Sequence, residues 1–253
     1  MLPRFFVPGT HAEDSVIELP REEAAHLARV LRLSTGDVVR IFDGRGREWQ
    51  ATVDQVRQPL VTVSLQHEVA PLAEPGVAIT LGVAVLKGDK MDDVMRDAVM
   101  LGVAAIQPLI TERTEVALAV IERGDRVARW RRVAVASAKQ CGRAVVPVVN
   151  DVVRFEDALR NVAHKGGDAV SPAVPTVMLA EPHAVGEARS LREVPRSGAL
   201  LLLVGPEGGW TPREVQHARD AGVMLVTLGT QILRADAVPI VALTAVRVAF
   251  HDL

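Results

Sequence analysis

Short apolar runs separated by turn residues fill the first part of the chain. Stretches rich in Val and Ile and bounded by Pro, Gly and Asp are typical of β-strands joined by tight turns. One amphipathic helix interrupts them over residues 21–33, where helical periodicity places Ala24, Leu27, Val30 and Leu31 on one face. Strands at such close spacing predict a small β-barrel. The predicted strands cover residues 15–20, 37–44, 48–56 and 60–69.

The pattern changes after residues 71–76, which contain two prolines and a glycine and indicate a linker. Continuous apolar runs then alternate with helical patterns, which predicts a parallel α/β sheet covered by helices on both sides. We therefore expect a barrel domain over residues 1–70 and an α/β domain over 77–253. The predicted strands cover 77–87, 103–110, 146–152, 176–182, 199–206 and 224–229. The predicted helices cover 89–102, 122–141, 155–163, 211–221 and the chain from about 235 onward, and residues 164–175 are predicted to form a surface loop.

Composition narrows the class of protein. Apolar residues make up 49% of the 253 residues, which is enough for a sizeable core, and the net charge of −2 shows no overall excess of basic residues. The single cysteine, Cys141, excludes an intrachain disulfide and a cysteine-rich zinc site. The histidines lack metal-binding spacing, and neither a signal-peptide core nor a membrane-length apolar run is present. We expect a soluble, cytoplasmic protein without a bound metal.

Three loops follow the last three predicted strands, at residues 179–183, 205–210 and 228–238. Ligands of open parallel sheets bind beyond the carboxyl ends of the strands. The middle loop is Gly-Pro-Glu-Gly-Gly-Trp, and a missing Cβ allows backbone groups to approach a ligand. Thr211 and Glu214 form a capping box that starts the next helix by itself. The glycines are therefore not needed to start the helix, which favours a ligand-binding loop over a simple tight turn.

The chemistry of these loops indicates the kind of ligand. The middle loop matches neither a Walker A motif nor the dinucleotide-binding fingerprint, and Glu207 would repel a phosphate. A carboxylate in a glycine loop suits a cationic or amine-bearing ligand. The third loop contains Arg234 and Asp236, for which two interpretations stay open: a surface ion pair and an active-site pair.

A basic stretch runs from Arg123 to Arg143 and contains seven basic residues but only one acid, Asp125. Its apolar residues have helical spacing, so that the arginines form an outer face. This face is either an ordinary solvated surface or a binding site for a nucleic-acid backbone, with Arg126, Arg129 and Arg132 as candidate phosphate contacts.

Five blocks of the chain, in the same order, resemble the RsmE family of ribosomal RNA uridine-N3 methyltransferases in the SPOUT superfamily. The resemblance covers nearly the whole chain, and no single block would be specific alone. The blocks are His26–Gly46, Leu86–Val116, Trp130–Val149, Leu202–Val215 and Leu228–Val238.

The resemblance implies a PUA-like N-terminal barrel that contacts RNA and a SPOUT-type parallel sheet with a C-terminal trefoil knot. It also implies a homodimer that acts on 16S rRNA within the assembled small ribosomal subunit. Arg29, Arg32 and Arg143 join the three helix arginines as candidate RNA contacts. The implied cofactor is S-adenosylmethionine (SAM), held by the three loops. The implied cofactor residues are Leu179, Ala180, Glu181, Val204, Gly205, Pro206, Glu207, Gly208, Gly209, Leu228, Gly229, Ile232, Leu233 and Ala235.

The implied reaction is methyl transfer to N3 of a uridine, which must lose its N3 proton. Glu207 and Asp236 are candidates for the base, and Arg234 and Arg143 are candidates for stabilising the negative charge. The chain departs from the family pattern, which usually has Glu where Lys139 stands and Ser where Cys141 stands. The family's Thr-Glu-Thr-Ala is replaced here by residues 235–238, Ala-Asp-Ala-Val. The alternative function is a non-catalytic RNA-binding protein of the same fold.

Overall fold

The computed structural model describes residues 2–57, 59–165, 174–182 and 188–252 and divides into two compact units. The smaller unit contains the chain up to Glu74 together with Val135–Val146. The larger unit contains Pro75–Ala134 together with the chain from Pro147 onward. Val135–Val146 belongs to the smaller unit because of its tertiary contacts. The predicted domains are continuous ranges of the chain and therefore do not place this segment with the first 70 residues.

An antiparallel meander with one parallel edge strand forms the sheet of the smaller unit. Its strands are β1 (Arg4–Phe6), β2 (Val16–Glu18), β3 (Val38–Phe42), β4 (Glu48–Arg57) and β5 (Leu60–Val69). The strand order is β1-β3-β4-β5-β2, with β1 parallel to β3. The four predicted strands are present, and β1 is additional.

The barrel helix is shorter than predicted. Helix α1 covers Arg21–Ala25, and the five residues after it form one π-helical turn. Ala24 and Leu27 are buried as predicted, whereas Val30 and Leu31 are exposed. The prediction for these two residues is wrong because the wider π turn shifts them out of the 3.6-residue periodicity.

A parallel sheet forms the centre of the larger unit, as predicted. Its strands are β6 (Ala78–Ala84), β7 (Ala105–Ile110), β8 (Val148–Val149), β9 (Val153–Arg154), β10 (Thr176–Leu179), β11 (Ala199–Val204) and β12 (Met224–Val226). The strand order is β12-β10-β11-β6-β7-β8, and β9 also pairs with β7. All pairings in this sheet are parallel.

The remaining helices are α2 (Lys90–Met100), α3 (Leu118–Arg123), α4 (Arg126–Cys141), α5 (Phe155–Lys165), α6 (Pro212–Asp220) and α7 (Val238–Phe250). The predicted capping box of α6 is confirmed. The Thr211 hydroxyl accepts from the Glu214 backbone N–H, and the Glu214 carboxylate accepts from the Thr211 backbone N–H. No helix of the described ranges has the length and apolar character that crossing a membrane requires.

Two helix predictions differ from the structure. The predicted helix over 122–141 is divided into α3 and α4, with Gly124 in an extended conformation between them. Helix α7 begins at Val238 because the preceding turn is closed by the Ala237 N–H, which donates to the Arg234 carbonyl at 2.9 Å. Asp89 lies at the N-cap position of α2 but makes no capping hydrogen bond with its side chain.

The core of the larger unit fixes the carboxyl ends of its strands. Phe155 and Leu159 of α5 and Ala218 of α6 pack with Met178 of β10 and Leu203 of β11 in one buried cluster. These contacts hold β10 and β11 side by side, so that the loops following both strands emerge at the same edge of the sheet.

Candidate functional site

A cleft lies where the loops after β10, β11 and β12 meet. It is lined by residues of all three predicted loops, which confirms that the structure brings them together. Twelve of the fourteen predicted cofactor residues line it, and Gly208 and Gly229 do not. Four further lining residues were not predicted. They are Pro182, Trp210, Gln231 and Val238.

Trp210 connects two of the loops. Its indole N–H donates to the Leu179 carbonyl at 2.8 Å, and its ring lies 4.9 Å from the ring of Phe155. A Cβ on Gly205 would lie only 3.0 Å from Trp210 Cε2. Gly205 is therefore required by the packing of the indole, and the Trp that follows the glycines is the sequence signal for this role.

The two adjacent glycines of the middle loop face different neighbours. A Cβ on Gly209 would lie 2.6 Å from Glu181 Oε1, at the cleft, and Gly209 also has a φ of 67°. A Cβ on Gly208 would instead lie 3.2 Å from Arg113 Cβ. Arg113 donates to the Gly208 carbonyl at 2.7 Å. Gly208 is thus packed against the segment after β7, and its contact with a cofactor stays a prediction.

Glu207 is held by two groups that follow β6. Lys90 Nζ donates to Glu207 Oε1 at 3.0 Å, and the Lys87 backbone N–H donates to the same oxygen at 3.3 Å. Burial alone would raise the pKa of the Glu207 carboxyl, but hydrogen bonds from its own backbone N–H, from Lys90 and from Lys87 outweigh it and lower the pKa. A carboxylate with a lowered pKa is a weak base, which argues against the predicted role of Glu207 as the base.

Arg234 and Asp236 form the pair that the sequence left open. The Arg234 guanidinium donates to both oxygens of Asp236, at 3.1 and 2.8 Å. The hydrogen bond from Arg234 is the main cause that lowers the pKa of Asp236. Ala235, which lies between them, lines the cleft, whereas the Arg234 side chain is 77% exposed. The pair therefore adjoins the cleft, with Arg234 accessible and Asp236 disfavoured as a base.

Arg143 is not an accessible cation. It is buried within the smaller unit, where its guanidinium donates to Glu74 at 2.5 to 3.1 Å. The Arg4 guanidinium in turn donates to the Arg143 carbonyl at 3.1 Å. Burial together with this ion pair argues against the predicted roles of Arg143 in RNA binding and catalysis.

The other predicted RNA contacts are at the surface. Arg29 and Arg32 are exposed on the smaller unit. Arg126 is half-buried, and Arg129 and Arg132 are about half exposed. Acidic groups partly neutralise the helix arginines. Arg129 pairs with Asp89 at 3.4 Å and Asp92 at 2.5 Å, and Arg132 pairs with Asp125 at 3.0 Å.

Two departures from the family pattern also lie in the smaller unit. Lys139 donates to both oxygens of Glu23, at 3.0 and 2.7 Å, in a largely buried ion pair. Cys141 is half-buried, and its thiol lies 3.8 Å from the Ala138 carbonyl. Across the described ranges, no group of three or more His, Cys, Asp or Glu side chains is placed to hold a metal ion.

Comparisons with known proteins agree over nearly the whole chain. Residues 73–247 match the model of the RNA methyltransferase domain, and residues 19–59 match that of the RNA methyltransferase PUA domain. The ribosomal RNA small subunit methyltransferase E of Synechocystis sp. is 32% identical over 250 residues, which cover 97% of this chain and 77% of that protein.

Solved structures show the same likeness. The ribosomal RNA small subunit methyltransferase E of Neisseria gonorrhoeae, bound to S-adenosyl methionine, is 32% identical with a TM-score of 0.84, and the match covers 98% of each chain. A Legionella pneumophila protein in complex with the bound cofactor SAM is 26% identical with a TM-score of 0.87, again over 98% of each chain.

Proposed function

Since the chain belongs to the RsmE family of ribosomal RNA small subunit methyltransferases, we propose that it transfers a methyl group from SAM to N3 of a uridine in 16S rRNA. The observation that carries the proposal is the cleft in which the three predicted loops meet. The proposal implies a cytoplasmic enzyme that acts on the assembled small subunit.

The cleft has features that fit SAM. Its apolar wall is formed by Leu179, Leu228 and Leu233. Gly209 has no side chain, so backbone groups can approach a ligand at the edge of the cleft. Glu181 contributes a carboxylate for the positive charge of the ligand. When bound, SAM supplies the electrophilic methyl group. We also propose that the C-terminal segment, which carries the second and third loops, forms the trefoil knot of the superfamily.

The residues of this chain have separate proposed roles in the reaction. Arg234 is exposed beside the cleft, so it stabilises the negative charge that develops on the uracil oxygens as N3 loses its proton. Asp236 orients the guanidinium through its two hydrogen bonds. Glu207 anchors the middle loop. Because Lys90 donates to Glu207 and Arg234 donates to both oxygens of Asp236, we propose that neither carboxylate accepts the N3 proton and that solvent takes it.

RNA contacts are proposed on two surfaces. The PUA domain presents Arg29 and Arg32, and helix α4 presents Arg126, Arg129 and Arg132. Phosphate contacts by arginine position an RNA without selecting its sequence. Ion pairs with neighbouring acids do not prevent this role, because an exposed pair contributes little and is readily exchanged for a phosphate.

A homodimer is proposed through helix α7. One side of this helix is buried and carries Ala242, Leu243 and Val246. The opposite side is exposed and carries Val241 and Val248. A helix that is apolar on both sides is usually covered on both. A second copy of the chain is the proposed cover.

Nucleoside mass spectrometry of 16S rRNA tests the function in the cell. A strain that lacks the gene should lose one N3-methyluridine, and a plasmid copy should restore it. A copy with Arg234→Ala should not restore it. A non-catalytic RNA-binding protein would leave the modification unchanged in all three strains, and that result would reject the proposal.

A further inference from the structure

We propose that Lys90 is a positioning residue for the cofactor loop, whose ammonium group fixes Glu207 and thereby the loop Gly205–Gly209 beside the cleft. This inference rests on the proposed function. Lys90 itself does not line the cleft. It contacts the lining of the cleft through its hydrogen bond to Glu207.

The fold places Lys90 at the correct edge of the sheet. Lys90 is the first residue of α2 and follows β6 through a turn in which Gly88 has a φ of 63°. The strands β6 and β11 are parallel neighbours, so the segments after both strands emerge together. Lys90 can therefore reach Glu207, which is 117 residues later in the chain, at 3.0 Å.

The contact is partly shielded from water. The side chains of Lys90 and Glu207 are 35% and 27% exposed, respectively. The same Glu207 oxygen accepts from the Lys87 backbone N–H, so the carboxylate joins the β6–α2 turn to the middle loop at two points. An anchored loop loses less conformational entropy when it closes on a ligand, which increases affinity.

The other described basic side chains near this loop are bound to other partners than Glu207. The Lys87 ammonium pairs with Glu115, and the Arg113 guanidinium bonds the carbonyls of Gly208 and Trp210. Arg234 pairs with Asp236. Among the described residues, Glu181 is a further acid of the cleft and lies beside Gly209. Arg234 is the main cause of the lowered pKa of Asp236 and the Lys90 charge is the smallest, so the main partner of Lys90 beside the cleft is Glu207.

Removal of the ammonium should therefore weaken SAM binding without removing a group that contacts SAM. Lys90→Gln keeps the helix position and removes the positive charge; its amide is one bond shorter than the Lys ammonium, so Glu207 keeps its backbone donors and loses the charged hydrogen bond. We expect the KM and Kd for SAM to rise about three- to tenfold, the range between an exposed ion pair and a charged hydrogen bond. The kcat should change less than twofold, because the reacting groups are unchanged.

Calorimetry with SAM and steady-state kinetics on the full-length protein test the proposal. Lys90→Arg, which restores a cation, should recover most of the affinity. Arg96→Gln is the matched control, since it removes one positive charge and one exposed ion pair, with Asp93, from the same helix. It should leave the Kd within twofold. In a Glu207→Gln background, Lys90→Gln should have no further effect.

Unchanged affinity in Lys90→Gln, or effects that simply add to those of Glu207→Gln, would overturn the inference. Hydrogen exchange of the ligand-free protein gives a readout that does not depend on SAM. Lys90→Gln should raise exchange in the peptide that contains Gly205–Gly209, and Arg96→Gln should not. Failure of the wild type to bind SAM would reject the proposed function, whereas equal exchange in both variants would reject the role of Lys90.

Discussion

The indole N–H of Trp210 donates to the backbone carbonyl of Leu179 at 2.8 Å. This bond connects the loop after β11 to the end of β10. Trp210 directly precedes Thr211, the N-cap of α6, so the helix start sets the position of the indole. The shape of the cleft thus depends on a tertiary contact as well as on the conformational freedom of its glycines.

Gly205→Ala tests this contact. The new Cβ would lie 3.0 to 3.3 Å from three atoms of the Trp210 ring, which is packed against Phe155 and cannot easily move. Overpacking of this kind costs about 1–3 kcal/mol. We expect SAM affinity to fall roughly tenfold, as measured by calorimetry.

Gly198→Ala is the matched control for that variant. Gly198 directly precedes the same strand, β11, and a Cβ there would have no heavy atom within 4 Å. Its SAM affinity should equal that of the wild type. Equal affinity in Gly205→Ala would show that the indole does not shape the binding site.

The architecture of the larger unit could be predicted because its signals are local. Continuous apolar runs identify buried parallel strands, and the capping box of Thr211 and Glu214 is a short-range pattern. The place of Lys90 could not be predicted, because parallel pairing of β6 and β11 brings it to Glu207 from 117 residues away. The burial of Arg143 could not be predicted either, because its partner Glu74 is 69 residues away in the chain.

A buried ion pair near the end of the chain should make stability depend on pH. Arg247 is 1% exposed and donates to Asp252 and to the carbonyls of Val77 and Gly102. Burial would raise the pKa of Asp252, but hydrogen bonds from the backbone of Val77 and Gly76 and from Arg247 lower it overall. A lowered pKa in the folded state stabilises the protein at neutral pH, and this contribution is lost as pH falls through that pKa.

Asp252→Asn should therefore destabilise the protein by about 1–3 kcal/mol at pH 7. The difference from the wild type should shrink as the pH falls below about 4, the ordinary range of an Asp pKa. Urea denaturation across pH measures both effects. Asp93→Asn, at an exposed ion pair, should stay within about 0.5 kcal/mol. A constant difference at all pH values would contradict the assignment.

Helix α7 gives a prediction about assembly. Light scattering of the wild type should give twice the chain mass of 27.2 kDa. The double variant Val241→Glu with Val248→Glu places charges on the exposed apolar side and should give the mass of one chain, with the circular dichroism unchanged. Val16→Glu, at an exposed valine of the smaller unit, should remain a dimer. A monomeric wild type would exclude this interface.

The arginines of helix α4 should affect RNA binding but not SAM binding. Replacing Arg126, Arg129 and Arg132 together with Ala should reduce the slope of affinity against salt concentration by roughly two to three units. Arg131→Ala is the control, because helical spacing places Arg131 on the opposite side of α4 from these three arginines, where it donates to the Val149 carbonyl and to Asp151. Binding of an rRNA fragment from low to moderate salt measures the slope. An unchanged slope in the triple variant would assign these arginines to an ordinary solvated surface.

Methylation of isolated small ribosomal subunits tests the central claim most directly. Subunits from a strain without the gene are incubated with the purified protein and SAM, and the 16S rRNA is digested to nucleosides for mass spectrometry. We predict one N3-methyluridine per 16S molecule, dependent on SAM and absent with the Arg234→Ala variant. Methylation of another base or atom, or SAM binding without any methyl transfer to the subunit, would contradict the account.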